Sequence, residues 1–178
     1  MNKNPYYRIA VYPGDGIGQE VTPLAFDVLK VAIGDEIDIE CTEFPWGLSY
    51  WLEHGTPTPP DYIDQLRAFD AIFLGAVGAP AQMPDPVSLE PPVQIRQRFD
   101  QYACLRPALL LDGVKSPLAG MKPRAIDILV VRENSEGEYV KQGGRFRRGE
   151  PEEIAVQSAI HTRAGVTRIL RFALEQAR

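Results

Sequence analysis

Apolar and polar positions along the chain recur in two periods, and their order predicts layered strands and helices. Ile9 to Tyr12 form a short apolar run closed by Pro13-Gly14, as a buried strand bounded by turn residues does. Val21, Leu24, Ala25, Val28, Leu29 and Ala32 then recur at helical spacing until Gly34, which predicts a helix with one apolar face and a glycine stop. Ile37, Ile39 and Cys41 alternate with acidic residues, the pattern of a half-exposed strand. Pro57, Pro59 and Pro60 mark a loop before a second helix over Tyr62 to Phe69. Ala71-Ile-Phe-Leu-Gly75 reads as another buried strand, running into Gly75-Ala-Val-Gly78-Ala-Pro80. A β-α-β-α-β order of this kind implies a mostly parallel sheet with helices on its faces.

Further along the pattern is more broken. Residues 80–92 hold five prolines and are expected to form an extended, mobile loop, followed by a polar helix from Val93 to Gln101 and an apolar stretch from Leu105 to Leu111. Pro117 to Pro123 reads as a surface connection, Ile126 to Val131 as a buried strand ending at Arg132, Gly143-Gly144 as a turn, and Ile154 to Ile160 as strand-like. A last helix is capped by Thr162, with Val166, Ile169, Leu170, Ala173, Leu174 and Ala177 on one face.

Composition narrows the class. The 178 residues suffice for one domain, or one domain and part of another. No apolar run approaches the roughly 18 residues of a membrane helix, and the N-terminus has no apolar leader segment. Cys41 and Cys104 lie far apart with no CxxC pattern, so they read as two small buried thiols in a reducing, cytoplasmic compartment, with no metal site. Charge adds more. Residues 1–95 carry 4 Lys/Arg against 14 Asp/Glu, a net of −10, whereas residues 96–178 carry 15 against 10, a net of +5. The basic residues do not interleave with aromatics and the whole chain is acidic, which argues against nucleic acid and for a small anionic ligand.

Candidate chemistry follows the arginines. Arg96, Arg106 and Arg132 each stand at the start or end of a predicted element; converging, their paired donors could grip both carboxylates of a diacid, and apart they are solvated surface residues. Tyr139 follows the acidic, glycine-broken turn Glu133 to Glu138, where a phenol beside a cation could act as an acid or simply be half-buried. The turn Gly14-Asp-Gly-Ile-Gly18 fits neither the dinucleotide fingerprint nor a P-loop; it and Gly75 to Pro80 serve either close approach of a ligand or packing. The chain offers only two histidines, His54 and His161, and neither is matched to a serine or cysteine nucleophile, so triad hydrolysis is not expected.

Taken in order, Val11-Tyr-Pro-Gly-Asp-Gly-Ile-Gly-Gln-Glu-Val21, Phe73-Leu-Gly-Ala-Val-Gly78, Phe99-Asp-Gln-Tyr-Ala-Cys-Leu-Arg-Pro107 and Val130-Val-Arg-Glu-Asn-Ser-Glu-Gly-Glu-Tyr139 resemble the β-decarboxylating dehydrogenases. With Glu43-Phe-Pro-Trp-Gly47 the resemblance is nearest to the tartrate/D-malate branch, and it covers the first half of a family member. It implies an α/β fold, a three-layer parallel or mixed sheet of the isopropylmalate-dehydrogenase type, truncated. Residues 1–104 would be the N-terminal part of the first, NAD-side α/β domain, and residues 105–178 the incomplete start of a second, central domain.

The implied activity is oxidative decarboxylation of a 2-hydroxy diacid with NAD and Mg²⁺ or Mn²⁺. By resemblance Arg96, Arg106 and Arg132 would hold the substrate carboxylates, Tyr139 would protonate the enolate, and Gly16, Ile17, Gly75, Ala76, Val77 and Gly78 would border NAD. The family's general-base lysine, metal-binding aspartates and adenosine loop lie further along, so these residues alone are expected to be inactive and to pair as a homodimer or with a missing C-terminal half. The stretch Ser88 to Arg96 is one residue shorter than in similar members, and Pro91-Pro92 within it are expected to delay or break the helix that presents Arg96. That departure also leaves open a degenerate, non-catalytic α/β module that binds anions or a partner protein.

Overall fold

The structure, a computed structural model, describes residues 4–178. The chain divides into two compact units at the bond between Ile95 and Arg96, the same point at which its charge changes sign.

In the first unit β1 (Tyr6–Gly14) lies between β2 (Asp38–Glu43) and β3 (Ala71–Ala76), both parallel to it. Ile9 pairs with Cys41 on one side and Ala71 on the other. The intervening helices are α1 (Ile17–Ile33), α2 (Leu48–His54) and α3 (Tyr62–Leu66). Ala10, Val11, Tyr12, Trp46, Leu66 and Met83 form the buried core. Around Trp46 the rings of Tyr12, Phe44 and Tyr62 lie at 5.7, 4.4 and 5.9 Å. Tilted and edge-on pairs of this kind each contribute about 0.5–1.5 kcal/mol beyond area burial.

Helix α1 begins four residues before the first apolar position read from the pattern, and Pro23 lies inside it. It turns Gly18 and Thr22 inward, while Val21, Leu24 and Val28 of the expected buried face are exposed. Small residues win the inward face because the helix packs closely on β1 and β3. The expected buried thiols are corrected too: Cys41 is exposed and Cys104 half-exposed.

The expected loop over residues 80–92 is helical in two places, α4 (Asp85–Ser88) and α5 (Glu90–Arg98). Met83, Ser88 and Pro91 are almost fully buried. The two prolines fall in the first turn of α5, whose N–H groups have no intrahelical acceptor, so the ring costs the helix nothing there. Arg96 is therefore presented on an intact helix.

The second unit holds two antiparallel ribbons, β4 (Ala103–Leu109) with β5 (Asp127–Glu133) and β6 (Gly143–Phe146) with β7 (Ile154–Gln157). Gly143-Gly144, expected as a turn, belongs to β6, where a side chain on Gly143 would overlap the Val156 carbonyl across the ribbon. Helix α6 (Arg163–Gln176) packs on β5. Its N-cap is Thr162, as expected, with the hydroxyl accepting from Gly165 N at 3.0 Å. Leu170 and Leu174 of the expected apolar face are exposed, whereas Phe172 meets Tyr102 at 6.2 Å. Among the described residues no helix is long and apolar enough to cross a membrane.

Candidate functional site

The first unit places the residues expected beside a cofactor around one carboxylate that the sequence pattern did not single out. Asp15 is 5% exposed, and its two oxygens accept from Leu48 N at 2.6 Å and Gly78 N at 2.8 Å. Its own N–H donates to Ala76 O at 2.6 Å. Three turns, after β1, before α2 and after β3, are thereby tied to one anion, and hydrogen bonds to an ionised acceptor are the stronger kind. Glycine makes the approach feasible. A side chain on Gly47 would overlap the Asp15 carboxylate, and one on Gly18 or Gly75 would overlap Pro13 O.

Gly75 thus has its missing side chain accounted for by packing, and Gly14 at the end of β1 faces Ala76 in the same way. Gly16 and Gly78 differ. Open space lies where a Cβ would stand, and both take left-handed φ values, 50° and 127°. Ile17 beside Gly16 is 58% exposed, and Ala76 and Val77 are half-buried. A separate cleft of about 450 Å³ between α1 and β2, lined by Thr22, Phe26, Lys30 and Cys41 among others, contains none of these residues. Burial pushes the Tyr12 phenol far up, aided by the nearby Asp15 charge.

The second unit gathers the expected arginines. Cys104 and Arg132 are direct cross-strand partners, as are Arg106 and Val130, so Arg106, Cys104 and Arg132 share one face of the β4–β5 ribbon. Arg132 Nη2 donates to the Tyr139 hydroxyl, and its guanidinium lies 5.1 Å from the centre of that ring. Arg96, from the end of α5, lies 5.8 Å from the same ring. The Arg106 pKa is raised above the ordinary guanidinium value by its hydrogen bond to Cys104, with the charges of Cys104 and Tyr139 adding to it. Among the described residues none of these three arginines forms a salt bridge. Cation–ring contacts at such distances stabilise the pairing and leave the guanidinium donors usable.

The turn between Arg132 and Tyr139 is built by carboxylates that the sequence reading left unassigned. Glu133 accepts from Ser135 N, Ser135 Oγ and Glu136 N, the shortest at 2.6 Å. Its pKa is lowered overall: desolvation pushes it up, and the hydrogen bonds from Ser135 and Glu136 outweigh that. Glu136 accepts from Thr162 N at 2.8 Å and Thr162 Oγ1 at 2.6 Å, and these bonds lower its pKa. Arg168 reaches the same turn, donating to Ser135 Oγ and Asp100 at 2.8 Å and stacking on Tyr102 at 4.4 Å. Its signal was present as a cation three residues after Gly165 on the inward face of α6. Arg132, Glu133, Glu136, Tyr139 and His161 border a hollow of about 140 Å³.

Comparison with known proteins places the chain. The family model for isocitrate/isopropylmalate dehydrogenase matches residues 8–178. The chain is 47% identical over 174 residues to a probable tartrate dehydrogenase/decarboxylase of Agrobacterium vitis, and equally so to the D-malate dehydrogenase [decarboxylating] of Escherichia coli K12. Each alignment covers 96% of this chain and 48% of the relative. The structure superposes on isocitrate dehydrogenase from Methylococcus capsulatus with a TM-score of 0.77 and 29% identity, covering 97% of this chain and 48% of that one. The chain spans about half the length of the curated relatives it matches.

Proposed function

We propose, from the premise that this chain belongs to the isocitrate/isopropylmalate dehydrogenase family, that it carries the carboxylate-holding part of a site for a small 2-hydroxy diacid of the tartrate/D-malate type. One observation carries the reading. Arg96 and Arg132 lie on the Tyr139 ring, and Arg106 shares the ribbon face of Arg132. Guanidinium forks without a carboxylate partner among the described residues match carboxylates with two parallel hydrogen bonds each. Because Arg132 donates to the Tyr139 oxygen, the phenol's own proton is left to donate elsewhere. Tyr139 would therefore hold a proton toward the bound substrate's reacting carbon or oxygen, the general-acid role.

NAD, when bound, would accept the substrate's hydride. Gly16 and Gly78, with open space beside them, the exposed Ile17 and the half-buried Val77 would border it, while Gly75 and Ala76 would support that edge from behind. Among the described residues no group of three or more His, Cys, Asp or Glu could hold a metal ion. Mg²⁺ and Mn²⁺ thus do not fit this chain's own residues, and no step is routed through them. The reading gives these 178 residues binding without turnover. The other reading, a degenerate module that binds anions or a partner protein, rests on the shortened stretch before Arg96; the break expected at its prolines is absent, since α5 runs unbroken from Glu90 to Arg98.

Calorimetric titration with D-malate, tartrate and the monocarboxylate D-lactate tests the proposal. The two diacids are expected to bind more tightly than lactate, and Arg106→Gln or Arg132→Gln to weaken diacid binding by about tenfold each, the loss of one charged hydrogen-bonding group. Equal binding of diacid and monocarboxylate by the folded chain would overturn it. NAD reduction above a mock preparation, with D-malate, tartrate or isopropylmalate and Mn²⁺ present, would overturn the separation of binding from turnover.

A further inference from the structure

We propose that Glu136 is the positioning residue of Tyr139: clamped between Thr162 and the space that Gly165 leaves, it holds the turn that presents the phenol to Arg132. The inference rests on the reading of Arg132 and Tyr139 as site residues. Its basis is a fit among three residues. Both Glu136 oxygens are used at one point, by the Thr162 backbone N–H at 2.8 Å and the Thr162 hydroxyl at 2.6 Å. That hydroxyl also accepts from Gly165 N at 3.0 Å, so the carboxylate and the first turn of α6 are joined through one oxygen. A side chain on Gly165 would overlap the Glu136 carboxylate. Glycine is otherwise a poor choice inside a helix, costing about 1 kcal/mol relative to alanine; here its absence of a side chain is what admits the carboxylate.

The clamp acts on Tyr139 through a short lever. Gly137 and Ile160 exchange both backbone hydrogen bonds, at 2.8 and 3.2 Å, directly between Glu136 and the segment leading to Tyr139. At the other end Glu133 caps Ser135 and Glu136. With the turn pinned through Gly137, and Gln157 Nε2 donating to Glu138 O at 3.2 Å further along, the three residues from Gly137 to Tyr139 have little freedom to swing the ring away from Arg132. The charged groups facing Glu136 are His161 and Arg168, which favour its ionised form, and Glu133, whose carboxylate shares the turn. Glu136 uses its carboxylate on Thr162 rather than on Arg132 or the Tyr139 hydroxyl, so its role is positioning.

The test is fluorine NMR of the 178-residue chain labelled with 3-fluorotyrosine, with Tyr139→Phe identifying the Tyr139 signal. Glu136→Ala, Gly165→Ala and Thr162→Val are each expected to move that signal at least halfway to its position in urea. Thr162→Ser, which keeps both hydrogen bonds, is expected to leave it in place. Glu136→Ala combined with Gly165→Ala is expected to move it no further than Glu136→Ala alone, since both changes empty the same clamp. A role confined to capping predicts otherwise: Gly165→Ala would strengthen α6 by propensity, and the Tyr139 signal would stay where it is. An unmoved signal in Gly165→Ala and Thr162→Val overturns the proposal. If Glu136→Ala fails to fold by circular dichroism, the Thr162→Val and Thr162→Ser pair decides. Adding D-malate to the unaltered chain separates the two readings. A shifted Tyr139 signal supports the site, whereas no shift sinks the site reading and leaves the positioning result to stand on the variants.

Discussion

The two units fix their functional turns by opposite means. Before Arg96, the turn after β1 is held by the absence of side chains and by one buried anion: Gly18 and Gly75 let backbones touch, and Asp15 takes N–H groups from two other turns. After Ile95, the turn from Glu133 to Tyr139 is held by long, partly exposed charged side chains, Glu133, Glu136 and Arg168. The apolar strands around it, with Ile128 and Val130 about half exposed, contribute much less enclosure than the aromatic cluster around Trp46. The lesson is one of tolerance. Close-packed backbone has no room to relax, whereas an exposed charged network yields gradually and responds to pH and salt.

The largest effect that would sharpen this contrast is expected from Gly18→Ala. Its Cβ would overlap Pro13 O and stand 2.7 Å from Ala76 N, so backbone must shift, and a loss of about 3 kcal/mol is expected. Urea unfolding followed by tryptophan fluorescence reads it cleanly, because Trp46 and Trp51 both lie in the first unit. A loss below 1 kcal/mol would show that this turn is as forgiving as the second.

Asp15→Ala comes next, at about 2–3 kcal/mol, since two backbone N–H groups lose a charged acceptor. Asp15→Asn, with one acceptor oxygen left, should fall between the variant and the parent on the same urea curve.

Arg168→Ala should cost about 1–2 kcal/mol through its two hydrogen bonds and its stacking on Tyr102. The circular dichroism of α6 should report it while the tryptophan transition stays put. A coincident shift of both transitions would show that the units unfold as one.

The smallest effect is that of acid. Glu133 and Glu136 have folded pKa values below their ordinary ones, so on acidification the unfolded chain takes up these protons first. Their contribution is complete above about pH 5, past the ordinary glutamate value, and is lost as pH falls through the lowered folded values. Replacing both by Gln should flatten the stability of the second unit over that range and leave the fluorescence transition of the first as it was.

Much of this was legible in the residues. The strand, glycine turn and helix at the N-terminus, the parallel order of the first sheet and the Thr162 cap follow from local pattern, while Arg96, Arg106, Arg132 and Tyr139 were singled out by the family motifs. The prolines near residue 91 misled because proline is read as a breaker, and its harmlessness in a first helical turn depends on where the helix starts. Apolar spacing along α1 was read correctly as helical and wrongly as to side, because the helix carries apolar residues on two faces.

What the residues by themselves determined is local or inherited: element order, caps, the charge break at residue 95 and the family motifs. Tertiary structure alone decided which face of α1 meets the sheet, that Asp15 joins turns 33 and 63 positions away, and that Gly165 makes room for Glu136. The physical reason is range. Periodicity and capping are written into neighbours within a turn or two, whereas a carboxylate's partners, and the empty space it occupies, come into being only when distant backbone arrives.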